Sequence, residues 1–116
     1  MPLDAATPAA GEGQLVAIQH WNDNILLLQP QPEPGLGEEL REVYAMVVQQ
    51  DEPPTVIADM QEISQLTSTH LSMLLKLRRA LIEKRQSLIL CNVQAVLWGV
   101  FLVTGLDVVF RFAADV

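Results

Sequence analysis

TVIADMQEISQLTSTHLSMLL, residues 55–75, decides how the rest of the chain is read. Its opening, Thr55-Val-Ile-Ala, is β-branched and apolar, the composition of a strand buried in a sheet, and it ends at Asp59. From residue 68 the apolar side chains fall at helical spacing, with Leu71, Leu74, Leu75, Leu77, Leu81 and Ile82 on one side and Lys76, Arg79 and Lys84 elsewhere. That pattern predicts a helix over 68–85. Between strand and helix lie the acidic turn Asp59-Met-Gln-Glu62 and the hydroxyl run Thr67-Ser68-Thr69. A helix start has N–H groups with no partner inside the helix, so it takes hydroxyl side chains as caps and favours a phosphate, bound or covalently added.

The same alternation extends outward. Two apolar runs, 14–22 and 24–29, flank Asn22-Asp23-Asn24 and predict a β-hairpin, with Leu26-Leu27-Leu28 reading as a strand covered on both faces. Pro30-Gln-Pro-Glu-Pro-Gly35 is an extended loop. A helix is expected over 36–50, with Leu36, Leu40, Val43 and Val47 on one face, Met46 beside them and Glu38 and Glu39 near the positive end. Asp51-Glu-Pro-Pro54 stops it. Strands at 87–91 and 108–112 and a helix at 94–104 follow, with Gly105 placed to end that helix in the left-handed conformation. The order ββαβαβαβ implies an α/β fold with a mixed, mostly parallel sheet of about five strands, an N-terminal hairpin and three to four helices. Residues 1–13, rich in Ala, Pro and Gly, read as a flexible tail, and 14–116 as one domain.

Composition narrows the function. Half of the 116 residues are hydrophobic, 18% are charged and the formal net charge is −7. An acidic chain lacks the basic face that general nucleic-acid binding needs. The charge is uneven: Arg41 is the only Lys or Arg before Lys76, whereas beyond Ser68 Lys76, Arg78, Arg79, Lys84, Arg85 and Arg111 face only Glu83, Asp107 and Asp115. This is either a solvated helix face or one side of a polar fold that steers a charged protein partner. Cys91 stands alone in an apolar run and reads as a buried, inert thiol. Neither His20 nor His70 has Cys or carboxylate neighbours at metal-ligand spacing, so no metal and no cofactor is expected. The start of the chain has no basic and apolar leader pattern, and the longest apolar run, 95–106, is too short to span a bilayer, so a cytoplasmic protein is expected. No nucleophile–base set, Gly-rich phosphate loop, HExxH or GxSxG is found, so catalysis is not expected.

Three segments together resemble the STAS domain family, and within it the bacterial anti-sigma factor antagonists: Val56-Ile-Ala-Asp-Met-Gln-Glu-Ile63 before the hydroxyl cluster, Leu88-Ile-Leu-Cys-Asn-Val93, and Val96-Leu-Trp-Gly-Val-Phe-Leu-Val-Thr-Gly-Leu-Asp107. The resemblance covers residues 14–112. It implies that the tetrad Thr67-Ser68-Thr69-His70 corresponds to the family's Asp-Ser-Ser-Gly or Asp-Ser-Thr-Gly, with Thr69 as phosphoacceptor and Ser68 as the adjacent hydroxyl. Thr67 stands where the family has aspartate and His70 where it has glycine. Thr67 retains the ability to cap, and His70 is expected to place a bulky side chain where a partner approaches, since a lone histidine at a helix start is ordinarily exposed. Asp59 ends a strand at the edge where α/β folds often bind ligands and is read either as part of a partner-binding surface or as an ordinary loop acid, and Thr67, His70, Met73 and Trp98 are the other candidates for that surface. Leu97 and Trp98 fall where similar proteins carry charged residues, so Trp98 marks either a contact surface or a repacked core.

The implied function is a regulatory module that binds an anti-sigma factor, itself a serine-threonine kinase of the histidine-kinase-like ATPase type, and is released by phosphorylation at Thr69 or Ser68. The alternatives are a non-switching adaptor subunit of a signalling scaffold or lipid-transport ATPase complex, and a small-ligand sensor. The sequence leaves the oligomeric state open.

Overall fold

The computed structural model describes residues 18–22 and 24–113, with side chains from Asn24 onward. The expected tail 1–13 and the first part of the opening strand, 14–17, lie outside the described residues. The strands are β1 (Ile18–Asn22), β2 (Ile25–Leu28), β3 (Thr55–Asp59), β4 (Leu88–Cys91) and β5 (Arg111–Ala113). The helices are α1 (Gly35–Gln49), α2 (Ser68–Glu83) and α3 (Ala95–Thr104), followed by a 3-10 turn, Leu106–Val108.

The five strands form one sheet in sequence order. β1 pairs antiparallel with β2, with a register irregularity between His20 and Asn22, and β2 to β5 are parallel neighbours. This is the hairpin plus parallel sheet that the alternation of elements implied. Each helix is therefore the crossover between adjacent parallel strands. Right-handed crossovers that all advance in one direction lay their helices on one face of the sheet.

The pleat agrees. Leu26, Val56 and Leu88 stand in register across three strands, as do Leu28, Ala58 and Leu90, and all six are buried. They meet Leu36, Leu40, Val43 and Val47 of α1, Leu74, Leu77 and Leu81 of α2, and Leu97 and Phe101 of α3 in one core. Each fully buried aliphatic side chain of this kind contributes roughly 1.5–3 kcal/mol. Leu27 is also buried, so β2 is covered on both faces as its unbroken leucine run required.

Two expectations need correction. The last strand begins at Arg111, not Val108. Gly105, at φ 77°, ends α3, but the chain then re-enters a helical turn in which the Val109 and Phe110 N–H groups both donate to Leu106 O. β-Branched composition at 108–109 was overridden by that turn, which leaves Val108 exposed and buries Phe110. Ile82 is also exposed rather than on the buried side of α2, because the helix packs on the 70/74/77/81 stripe.

Candidate functional site at the start of α2

The loop from β3 to α2 is pinned before the helix begins. The Met60 N–H donates to Cys91 O at 2.9 Å and the Ile63 N–H to Met60 O at 3.0 Å, while the Met60 and Ile63 side chains plug the core. Gln94 Nε2 donates to Gln61 O at 2.7 Å, tying the loop to the start of α3. Leu66 and Leu71 occupy the positions just before the cap and at the fourth residue of α2, where an apolar pair fixes the entry angle of the chain, and both are partly buried against the core.

Thr67 is the N-cap, with extended backbone (φ −87°, ψ 170°). Its Oγ1 accepts the His70 N–H at 3.2 Å, and His70 Nδ1 accepts the Thr67 N–H at 3.1 Å. Two N–H groups that the helix geometry leaves without partners are thus satisfied reciprocally, with histidine in the position where Glu or Gln ordinarily closes such a box. On the far side of the ring, Nε2 meets the carboxylate of Glu33, in the loop entering α1. Nδ1 must accept and Nε2 must donate, so the neutral ring with its proton on Nε2 satisfies both partners.

This corrects the reading of His70 as an exposed side chain facing a partner: the residue is 5% exposed. Its ring links the α2 cap to the loop ahead of α1. Sequence spacing could not show this, because Glu33 lies 37 positions away. The hydrogen bond from His70 holds the Glu33 carboxyl below its ordinary range; burial opposes this, and the Gly37 N–H and the charge of Arg41 act in the same direction as His70. Glu39, one turn into α1, is buried. Loss of water raises its carboxyl, the Gln31 N–H partly offsets that at 2.9 Å from Oε1, and Glu33 and Glu38 add to the rise.

Ser68 and Thr69, the first two residues of α2, are exposed, and among the described residues neither hydroxyl is engaged in a side-chain hydrogen bond. Met73, half-buried, stands four residues after Thr69 and so on the same helix stripe. A cavity of about 200 Å³ lies beside them, lined by Pro32, Glu33, Ile63, Ser64, Thr67 and His70 among others. The structure thus brings Thr67, Ser68, Thr69, His70 and Met73 to one helix start, with the two hydroxyls outermost.

Asp59 has a different role in the geometry. It is buried, and its Oδ1 accepts from Asn92 Nδ2 at 3.0 Å and the Gln61 N–H at 3.1 Å, while Oδ2 accepts from Gln29 Nε2 at 3.4 Å. It joins the C-terminal ends of β2, β3 and β4. Asn92 reaches it from a left-handed backbone (φ 54°), which asparagine tolerates better than most residues.

Trp98 lies on a separate surface, on α3. Its ring is edge-on to Phe112 at 4.9 Å, yet the residue is 38% exposed, whereas Leu97 beside it is buried. Leu97 is thus part of the core, while Trp98 is part of the surface. Val96, Leu102, Val103 and Val108 are also exposed, and α3 carries no charged side chain. Among the described residues no helix is long and apolar enough to cross a membrane, and no cluster of His, Cys, Asp and Glu is arranged to hold a metal ion.

Comparison with known proteins gives a consistent result. The family model described as STAS domain matches residues 37–116. No curated protein matches the sequence significantly. Among solved structures, an anti-sigma-factor antagonist (STAS) domain protein from Planctomyces limnophilus superposes with a TM-score of 0.71 at 17% identity, covering 85% of this chain and 89% of that one. The Thermotoga maritima protein TM1081 gives 0.69 at 11% identity, covering 85% of each chain. The Bacillus cell fate determinant SpoIIAA, in its phosphorylated form, gives 0.61 at 16% identity, covering 84% and 90%. At these identities the likeness is one of fold.

Proposed function

The chain belongs to the STAS domain family, and on that premise we propose that it is a non-enzymatic regulatory module, an anti-sigma factor antagonist switched at the start of α2. The unphosphorylated domain binds an anti-sigma factor kinase of the histidine-kinase-like ATPase type, in the cytoplasm of a bacterium, and so frees a sigma factor for transcription. Phosphorylation of Thr69, with Ser68 as the second acceptor, breaks the complex.

The observation that carries this reading is the exposed Thr69 hydroxyl at the second position of a helix whose cap is already closed by Thr67 and His70. A phosphoryl group there adds roughly −1.5 to −2 charge. The helix dipole favours it and the cap needs no rearrangement, so the fold persists while an acidic partner surface is repelled. His70 and Asp59 hold the site in shape; Thr69, Ser68 and Met73 present it. Incubation with ATP and an anti-sigma kinase of the histidine-kinase-like ATPase type that binds the domain, followed by mass spectrometry, is expected to place one phosphate on Thr69. Thr69→Asp is expected to weaken the complex at least tenfold. Phosphate found only outside residues 67–69, with a kinase shown to bind, rejects the switch.

A second reading, a non-switching adaptor in a scaffold or a lipid-transport ATPase complex, is favoured by the uncharged, exposed face of α3 around Trp98. It requires a partner whose affinity falls with Trp98→Glu and is indifferent to Thr69→Asp. A small-ligand sensor draws less support, since the cavity beside the helix start is smaller than the several hundred Å³ usual for such sites.

A further inference from the structure

Away from the helix start, α1 and α2 leave a groove along their outer side. Above the seam buried by Val43 and Val47 against Leu74, Leu77 and Leu81, each helix presents a second stripe. On α1 it runs Arg41, Tyr44, Val48; on α2 it runs Met73, Lys76, Ala80 and on to Lys84. These spacings of three, four and seven residues keep each stripe on one side of its helix. The groove divides into two hollows of about 170 and 310 Å³, which share Tyr44 and Lys76. Its floor is apolar, with Tyr44 and Val48 exposed, and at the end near Thr69 it begins at Met73.

The rim is basic on a protein of net charge −7. Arg41, Lys76, Arg79 and Lys84 line the groove against one carboxylate, Glu83, which Arg79 meets at 3.4 Å in an exposed pair that contributes little to stability. Lys84 is anchored at the far end by the carbonyls of Val47, Val48 and Gln50. Lys76 is exposed, between the two hollows. A two-fold dimer through this face would set one basic rim against the other, so the cations around the apolar trough disfavour that pairing and favour an acidic occupant.

We infer that this groove is a docking surface for an acidic amphipathic helix of a partner protein. The stripe on α2 from Met73 to Lys84 spans about 16 Å at 1.5 Å per residue, three turns of a guest helix. Such a helix lays its apolar side on Tyr44, Val48 and Ala80 and its carboxylates toward Lys76, Arg79 and Arg41, the geometry of a helix in a groove. The surface meets the helix start at Met73 but includes neither Ser68 nor Thr69, and it does not require Thr69 to be modified.

The test uses the full chain and a fluorescein-labelled amphipathic peptide of about 14 residues, long enough for three to four turns, with a leucine stripe and glutamates elsewhere. Fluorescence anisotropy is expected to show saturable binding that weakens at least tenfold in the Lys76→Glu/Arg79→Glu variant. In amide NMR spectra the largest shifts are expected at Tyr44, Val48 and Ala80. Both substituted positions are exposed, and a circular-dichroism melt checks that the variant is folded; Lys76→Gln/Arg79→Gln, expected to give an intermediate loss, serves should charge reversal perturb the fold. Thr69→Ala must bind as the wild type does, which separates this proposal from the phosphoswitch. The same peptide with lysine for glutamate binding equally well, unchanged affinity in both groove variants, or shifts confined to α3 overturns it. So does binding to phosphatidylglycerol vesicles with none to the acidic peptide, which assigns the basic rim to a membrane surface.

Discussion

Thr67 and His70 close the start of α2 from both sides: each offers its side chain to the other's backbone N–H, at 3.2 and 3.1 Å. This reciprocal pair makes the helix start independent of whatever binds or modifies Ser68 and Thr69. Its removal should therefore register in stability first. Thr67→Ala is expected to cost about 1 kcal/mol, the usual value for a lost N-cap hydroxyl. His70→Ala is expected to cost more, because it also empties a buried position and leaves Glu33 without its partner. His70→Gln, which can still accept the Thr67 N–H, should recover part of that loss. Urea unfolding of the three variants measures these differences; equal stability for His70→Ala and wild type would mean that the box contributes nothing.

How much of this was legible in sequence depends on the distance over which each interaction acts. The helix start, the hydroxyl cap at Thr67, the left-handed Gly105 and the core stripes of α1 follow from patterns within one or two turns, and the structure places them as read. The His70–Glu33 link, the Asp59 crosslink to Gln29 and Asn92 and the Lys84 contacts join residues 30 to 37 positions apart. No local pattern encodes such pairs. The expectation of an exposed His70 fails for that reason: the residues before it, Thr67-Ser68-Thr69, are polar, while the contact that covers it comes from the loop ahead of α1. The last strand starts later than its composition predicts for the opposite reason, since Val108 and Val109 satisfy a local rule that the turn after Gly105 overrides.

Glu33 and Glu39 give the acid limb of stability two opposed components. The folded-state carboxyl of Glu33 lies below 4.5, chiefly through its hydrogen bond with His70. Its contribution is thus fully present above pH 4.5 and is lost as the pH falls through the lowered value. Glu33→Gln should flatten the decline of melting temperature in that window. A variant that follows the wild-type curve below pH 4.5 would show that the link carries no net stabilisation.

For Glu39 the sign is reversed. Its folded-state carboxyl lies above 4.5, chiefly through burial, so the unfolded chain ionises first as pH rises. A penalty therefore grows from about pH 4.5 upward and is complete above the folded-state value. Glu39→Gln keeps an oxygen to accept the Gln31 N–H but removes the charge. Its melting temperature is expected to exceed the wild type's at pH 7 and to equal it at pH 3, where both side chains are neutral. A lower melting temperature at pH 7 would show that the carboxylate is compensated more fully than its surroundings indicate.

Lys84 ties the two helices at their far ends, its ammonium reaching the carbonyls of Val47 and Val48 at 3.2 and 2.9 Å and also that of Gln50. These are the groups at which α1 runs out of internal donors, and a cation there also meets the negative end of the helix dipole. Lys84→Met preserves most of the aliphatic stem and deletes the charge. It is expected to cost about 1–2 kcal/mol, the range for a charged hydrogen-bond group only partly removed from water. Faster amide exchange over the last turn of α1, with α3 unchanged, would accompany it. Loss of stability without that local signature would place the effect in α2 alone.

Arg85 closes α2 by a route that glycine ordinarily takes. It has a left-handed backbone, φ 65°, its N–H donates to Ile82 O at 2.9 Å, and the Gln86 N–H reaches back to Leu81 O at 2.8 Å. Those two bonds satisfy carbonyls at the end of the helix and fix the turn into β4. A non-glycine residue holds this conformation at a cost of about 1 kcal/mol from contact between its Cβ and the backbone. The Arg85 side chain is exposed, so removing it forfeits little packing. Arg85→Gly is therefore expected to stabilise the domain by roughly 0.5–1 kcal/mol, reduced by the extra freedom glycine gives the unfolded chain. Arg85→Val, with a branched Cβ in the same conformation, is expected to destabilise it. Denaturant midpoints for the pair order the three proteins as glycine, arginine, valine; a glycine variant less stable than the wild type would show that the arginine side chain makes a contribution larger than the strain it imposes.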